Sequence, residues 1–286
     1  GISYPALTLL FKRGLRHDEL PAATAMETII FASQVLLGTG LGVLLFDLFD
    51  PLYLLAIDAL SFTASVALLM MSGSAFREAE SQPAEVSTGR LAPLWRVISP
   101  IQKRSIMLLP ALAAVGSPAM ALLPALAQEI RPEDSAGLAL PLLFARSLGQ
   151  LCGPLMLDAS KLQRYSANNG LLLVCLIVFI GSYFLLPLSA GYSFAGLVLI
   201  FSAHMASNIV FALGTFSILR NFPQTEVAQA SALSWRVQVL TAAVSTGITS
   251  LMAQSCGAFT ALYSISLLSL AAVGVLLWLI RASGIK

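Results

Sequence analysis

Five ionisable side chains stand inside long apolar stretches: Glu27, Asp58, Arg146, His204 and Arg236. Placing a charge at the centre of a bilayer costs about 2.5–3.5 kcal/mol on insertion scales, so such groups face a wet cavity or a partner helix. Polar residues recur around them with helical spacing. Ser231, Ser234, Gln238, Thr241, Ser245 and Thr249 follow one another every three or four positions, which puts them on one helix face. Thr24, Glu27, Gln34, Gly38 and Gly42 make a second stripe, and His204, Asn208, Phe211 and Thr215 a third. Such stripes line a cavity or let helices approach closely, since small and hydroxyl residues serve both ends. Gln and Glu are poor choices for close approach alone, which favours a cavity. His204, with a reference pKa of about 6.5, suits substrate binding or proton relay; the alternative is a neutral ring bonded to nearby backbone. Asp58 reads as a coupling carboxylate or as a structural group bonding backbone or Ser61.

Other chemistry finds no support. Cys152, Cys175 and Cys256 are scattered without metal-ligand or disulfide spacing. No Walker A motif is present, and no carboxylates cluster within one span, so neither ATP hydrolysis nor metal-dependent transfer is expected. Catalytic residues, metals and cofactors are therefore expected to be none.

The elements that position these residues are hydrophobic. Apolar residues make up 57% of the chain, charged residues 10%, and mean hydropathy is +0.85. A soluble domain carries about 25% charged residues, so lipid is the expected solvent. The net charge of +2 brings no basic block for nucleic acid. A membrane-spanning helix needs about 20 apolar residues. Eight stretches meet that: 22–46, 51–72, 105–127, 137–157, 169–187, 193–218, 227–253 and 258–280. Residues 1–11 are apolar but too short to span, and read as the tail of a further helix.

Basic residues occupy alternate connections: Lys12, Arg13 and Arg16; Arg77, Arg90, Arg96, Lys103 and Arg104; Lys161 and Arg164; Arg220; Arg281 and Lys286. The opposite connections hold Arg131 against Asp47, Asp50, Glu129, Glu133 and Asp134. By the positive-inside rule the basic set, and both ends of the chain, are expected in the cytoplasm. Residues 73–104 are the one long polar segment, read as a cytoplasmic linker in which 91–98 lies on the membrane surface. It divides 1–72 from a six-helix unit over 105–286.

The chain also repeats itself. Glu19-Leu20-Pro21-Ala22-Ala23-Thr24-Ala25-Met26 is echoed by Glu226-Val227-Ala228-Gln229-Ala230-Ser231-Ala232-Leu233, an offset of 207 positions (226 less 19). Each copy opens a two-helix hairpin, as in transporters built from duplicated halves. By that offset Glu27 matches Ser234, and Gln34 matches Thr241.

Two six-helix halves joined by a basic linker resemble the major facilitator superfamily. Tyr4-Pro5-Ala6-Leu7, Glu19-Leu20-Pro21-Ala22-Ala23, the stretch from Gly38 to Gly42, and Ile57-Asp58-Ala59-Leu60-Ser61-Phe62 are similar to its bacterial drug and siderophore exporter branch. The resemblance covers the whole chain. It implies an all-α membrane protein with a major-facilitator-type bundle, about eight helices (the fifth to the twelfth) of an expected twelve, the first four being lost. It implies that the helices over 105–127 and 193–218 line a central cavity, which would bring His204 and Asn208 to it, and that the helix of Asp58 is peripheral. Glu27 becomes the carboxylate within reach of Arg146, a possible interhelical charge pair, while Arg236 looks to the lost helices. Residues 153–164 resemble the family's cytoplasmic gating loop through Gly153, Asp158, Lys161 and Arg164; Asp158 sits one position late and one expected Gly is missing. The bland reading is that Lys161 and Arg164 only fix topology. Pro110, Gly116, Pro118 and Pro124 make 105–127 a bendable helix.

The function so implied is secondary active transport: proton-coupled efflux of a small organic molecule by alternating access, in a bacterial inner membrane. Glu27, Gln34, His204, Asn208, Arg236 and Gln238 are the candidates for the substrate and proton pathway. The expected partners are a small-molecule substrate, protons and the lipid bilayer, with the protein a monomer. The alternatives are a lysolipid-type flippase of the same fold, an inactive truncated transporter, and an intramembrane enzyme.

Overall fold

The computed structural model describes residues 29, 30, 33, 37, 38, 49–79, 95 and 97–283. Among these the secondary structure is helical throughout. The long helices are α1 (Pro51–Ala79), α2 (Pro100–Ile130), α3 (Ser135–Leu155), α5 (Asn169–Leu185), α6 (Ser193–Asn221), α7 (Val227–Cys256) and α8 (Ala258–Ser283), with a short α4 (Leu162–Ala167) between α3 and α5. Helices suit lipid because they satisfy every backbone group within one segment. Six of them, α2, α3 and α5 to α8, are long and apolar enough to cross a membrane. The expected span over 51–72 forms α1, which runs on to Ala79. The span expected over 22–46 lies outside the described residues, save for five isolated positions. With it lies most of the first repeat copy, so the eight-helix count and the 207-position repeat rest on sequence.

Local chemistry sets the ends. Ser99 caps α2, with Gln102 closing a capping box and Pro100 in the first turn, where a missing N–H costs nothing. The turn between α7 and α8 is the single residue Gly257 at φ +83°, a left-handed backbone that favours glycine. Cys256 is the last residue of α7 and exposed.

The prolines of α2 raise an accounting question. Pro110 has no N–H, so the Ile106 carbonyl loses its helical donor. Ser234 Oγ on α7 donates to that carbonyl at 2.8 Å. A neighbouring helix thus completes the backbone hydrogen bonding that the proline interrupts, as a dry interior requires.

The six apolar helices α2, α3 and α5 to α8 form one bundle in which α2 packs against α3, α5, α6, α7 and α8. The two most extensive pairs are α3 with α6 and α2 with α7, followed by α2 with α8 and α5 with α6. These pairs map onto one another when the unit α2–α3–α5 is exchanged with the unit α6–α7–α8. Directions agree as well. Gly149 and Gly153 of α3 meet Phe201 and Met205 of α6 in ascending order, so that pair is parallel. On α2 and α7, Ile106 meets Ser234 near both starts, while Gln128 and Glu129 lie with Ala253 and Gln254 near both ends. That pair is also parallel. Helices α2 and α6 run antiparallel, with Gly214 against Leu109 and Asn221 against Ser105. The exchange therefore inverts one three-helix unit relative to the other.

The two ends of the bundle differ in charge. At one end Arg104 Nε donates to Asn169 Oδ1 at 2.7 Å, Gln102 Nε2 to the Asn221 carbonyl at 3.0 Å, and Asn221 Nδ2 to Ser105 Oγ at 2.9 Å. At the other, the Glu129 carboxylate accepts from the Ala258 and Phe259 amides at the start of α8. A carboxylate there complements the helix dipole.

Candidate functional site

Between the two three-helix units lies a cavity of about 200 Å³. Five helices reach it. From α2 come Leu112, Ala113, Gly116, Ser117 and Met120; from α3, Gln150; from α5, Phe179; from α6, Ser207, Asn208 and Phe211; from α7, Gln238. It is an apolar chamber with a few polar groups, the usual make-up of a small-molecule site. No Asp, Glu, Lys or Arg lines it among the described residues.

Close packing of α3 on α6 brings Gln150 there. A Cβ on Gly149 would stand 2.3 Å from the Phe201 carbonyl oxygen, and one on Gly153 2.5 Å from that of Met205. Only glycine fits, and Gly149-x-x-x-Gly153 is the small-residue spacing that lets membrane helices touch backbone to backbone. Gln150, beside this contact, is 5% exposed, and its Oε1 has no hydrogen-bond partner. The Gln238 Oε1 is likewise buried and unpartnered. On α6, Ser207 Oγ and Asn208 Nδ2 both donate to the His204 carbonyl, at 3.0 and 3.3 Å.

Behind the cavity wall sits a buried polar group. His204 is fully buried, and its Nε2 meets the Tyr183 hydroxyl at 2.9 Å. Its ring stands edge-on to Phe179, centroids 5.4 Å apart. Phe179 also lines the cavity, so it lies against both. Arg146, one helical turn before Gln150, is close enough for its charge to act on both Tyr183 and His204. Its Nε is buried without a hydrogen bond.

The sequence-predicted residues thus divide. Gln238 and Asn208 line the cavity, whereas His204 is set one layer back, held by a side chain rather than by backbone. Arg236 is exposed on α7. Asp58 is exposed on α1, and Ser61 Oγ donates to its backbone carbonyl at 2.7 Å rather than to its carboxylate. Glu27 and Gln34 lie outside the described residues, and with Glu27 the proposed pair to Arg146. Of the serine and threonine stripe on α7, Ser231, Ser234, Ser245 and Thr249 are buried in helix packing. Small-residue approach explains that part; only Gln238 reaches the chamber. Gln150, Ser117 and Tyr183 were not singled out from sequence. Gln150 had a visible signal, as a polar residue one position after the first glycine of the Gly-x-x-x-Gly spacing.

The loop after α3 is built around Asp158. Its carboxylate accepts from Ser160 Oγ at 2.6 Å and the Ser160 amide at 2.9 Å, and pairs with Lys161 Nζ at 2.9 Å. The Ser160 hydroxyl first, then Lys161, lower its pKa to about 2, and the Asp158 carboxylate in turn raises that of Lys161. Arg164 is exposed in the short α4. Gly153 belongs to the α3–α6 contact rather than to this loop.

Comparison with protein-family models, with curated proteins and with solved structures gave no match. What the structure defines is a class: an integral, multi-pass membrane protein built as a helical bundle, with a polar-bearing chamber between two inverted three-helix units.

Proposed function

We propose that this chain belongs to a secondary active transporter of the major facilitator type, exporting a small organic molecule in exchange for protons. The observation that carries the reading is the inverted pairing of α2–α3–α5 with α6–α7–α8 around the chamber. Nested inverted three-helix repeats are the architecture of each six-helix half in that superfamily, with the site at the repeat interface near mid-membrane. The proline-interrupted α2 fits a bendable helix, and the glycine-packed α3–α6 pair, which ties the two units together, fits a six-helix half that rocks as one body against the other half. Opposite charge at the two ends fits a fixed orientation in the membrane. His204 and Tyr183, hydrogen-bonded beside the chamber, are the described residues best placed to pass a proton.

The test is an accumulation assay on the full-length protein in cells lacking competing exporters. Expression lowers the cellular content of a drug or siderophore substrate, and a protonophore abolishes the difference. His204→Ala and Glu27→Gln weaken the effect. Export that persists with the proton gradient collapsed contradicts the coupling, and no export across a broad compound panel contradicts the transporter reading.

A further inference from the structure

Three polar residues form a layer one turn beyond the chamber. Arg146 stands four residues before Gln150 on α3, Tyr183 four after Phe179 on α5, and His204 four before Asn208 on α6. Four residues advance a helix by about 6 Å. Helix α3 starts, α5 ends and α6 starts at the end of the bundle that carries Glu129, so all three steps lead the same way. Phe179 stands between this layer and the chamber. We infer that its ring is a plug: it holds chamber water off the His204–Tyr183 pair, and by turning aside it lets that water in. For its use in transport the inference rests on the proton-passing role proposed above. The barrier itself rests on contacts, and makes Phe179 a positioning residue that acts through His204.

The two sides of the ring meet different surroundings. On the chamber side, a Cβ on Gly116 would stand 3.8 Å from Phe179 Cζ, so a glycine faces the tip of the ring. On the other side the ring meets His204 edge-on at 5.4 Å between centroids, and Tyr183 at 5.1 Å. Phe179 is 1% exposed and His204 0%, so the plug is shut in this structure. Closure leaves His204 Nδ1 buried without a hydrogen-bond partner among the described residues, and Arg146 Nε likewise. Buried polar atoms are nearly always paired, with protein or with ordered water. A layer that is wetted in another state accounts for both atoms, since each meets water once the ring swings away. Room for that movement is the chamber's own volume of about 200 Å³, which Gly116 leaves open in front of the ring. A ring passes between staggered rotamers without any change of backbone.

Exchange of the His204 ring N–H with water reads this barrier with a probe of the right size. The full-length protein, carrying the heavy nitrogen isotope at histidine alone, is held in lipid nanodiscs and followed by NMR with water saturation. Neither substrate nor gradient is present, and loss of the signal in His204→Gln assigns it. The N–H is expected to exchange slowly in the unmodified protein and at least about tenfold faster in Phe179→Ala, because exchange of a buried group follows local opening. Phe179→Leu refills most of the volume and restores slow exchange. Leu172→Ala, an equally buried truncation on α5 away from the chamber, leaves the rate within about twofold. Fast exchange in the unmodified protein overturns the inference, as does an unchanged rate in Phe179→Ala or an equal gain in Leu172→Ala. Because no transport is measured, these outcomes are separate from failure of the proton-coupled export assay.

Discussion

Pro110 and Ser234 share one carbonyl, and the energetics of that sharing are measurable. Hydrogen bonds between membrane helices contribute about 0.6 kcal/mol on average and up to about 1.7. Ser234→Ala is expected to lower unfolding free energy by that amount, because it leaves the Ile106 carbonyl without a donor. In a Pro110→Ala background the helix supplies its own N–H, and the same serine change becomes nearly silent. An equal loss in both backgrounds, read by reversible unfolding in mixed micelles, contradicts the account. Asp158 offers a second test at this scale. Its folded pKa lies below the unfolded value, so its stabilising contribution is present at neutral pH. That contribution is lost as pH falls from the usual carboxylate range through about 2. Carbon-detected NMR should find the Asp158 carboxylate titrating near 2, and Ser160→Ala should move it back up, since the Ser160 hydroxyl is the largest cause. A normal Asp158 titration in the unmodified protein rules this out.

Among the elements, the α3–α6 pair is the most tightly constrained. Gly149→Ala forces a methyl against the Phe201 carbonyl and is expected to cost about 1–3 kcal/mol, the usual range for overpacking. Gly181→Ala on α5 meets nothing within 4 Å, so it should be neutral or mildly stabilising through helix propensity. Equal effects of the two changes, measured as shifts in thermal unfolding, refute a backbone-to-backbone contact at Gly149. Much of this level was legible in the sequence. Hydropathy located α2, α3 and α5 to α8 to within a few residues, because length and charge exclusion are set by the bilayer itself, whereas α1 runs well past the expected 51–72. Partnership was less legible. The α7 stripe showed its period, but period cannot say whether a serine meets water or a carbonyl freed on another helix. His204 was visible as a buried titratable group, whereas Tyr183 lies in an apolar run where one hydroxyl makes no pattern. Gln150 is a single polar residue on a helix whose one charge, Arg146, is the stronger signal in the sequence.

On the scale of the whole molecule, the proposed transport requires the six-helix half to present the chamber to each side of the membrane in turn. The helix pairing and the segregation of Glu129 from Arg104 to opposite ends follow from six alternating spans with short connections. The unmet glutamines and the buried His204–Tyr183 pair follow from tertiary packing that no single stretch of sequence encodes. Alternating access then predicts a simple property: a residue lining the chamber is reached by water from each side of the membrane in turn. Ser117, on the chamber wall at the middle of α2, is the position to probe. With Cys152, Cys175 and Cys256 replaced by Ser, Ser117→Cys in the full-length protein is treated with a membrane-impermeant thiol reagent in right-side-out and inside-out vesicles. Labelling from both sides, slowed by a bound ligand, is the predicted result; labelling from one side only, or from neither, contradicts it.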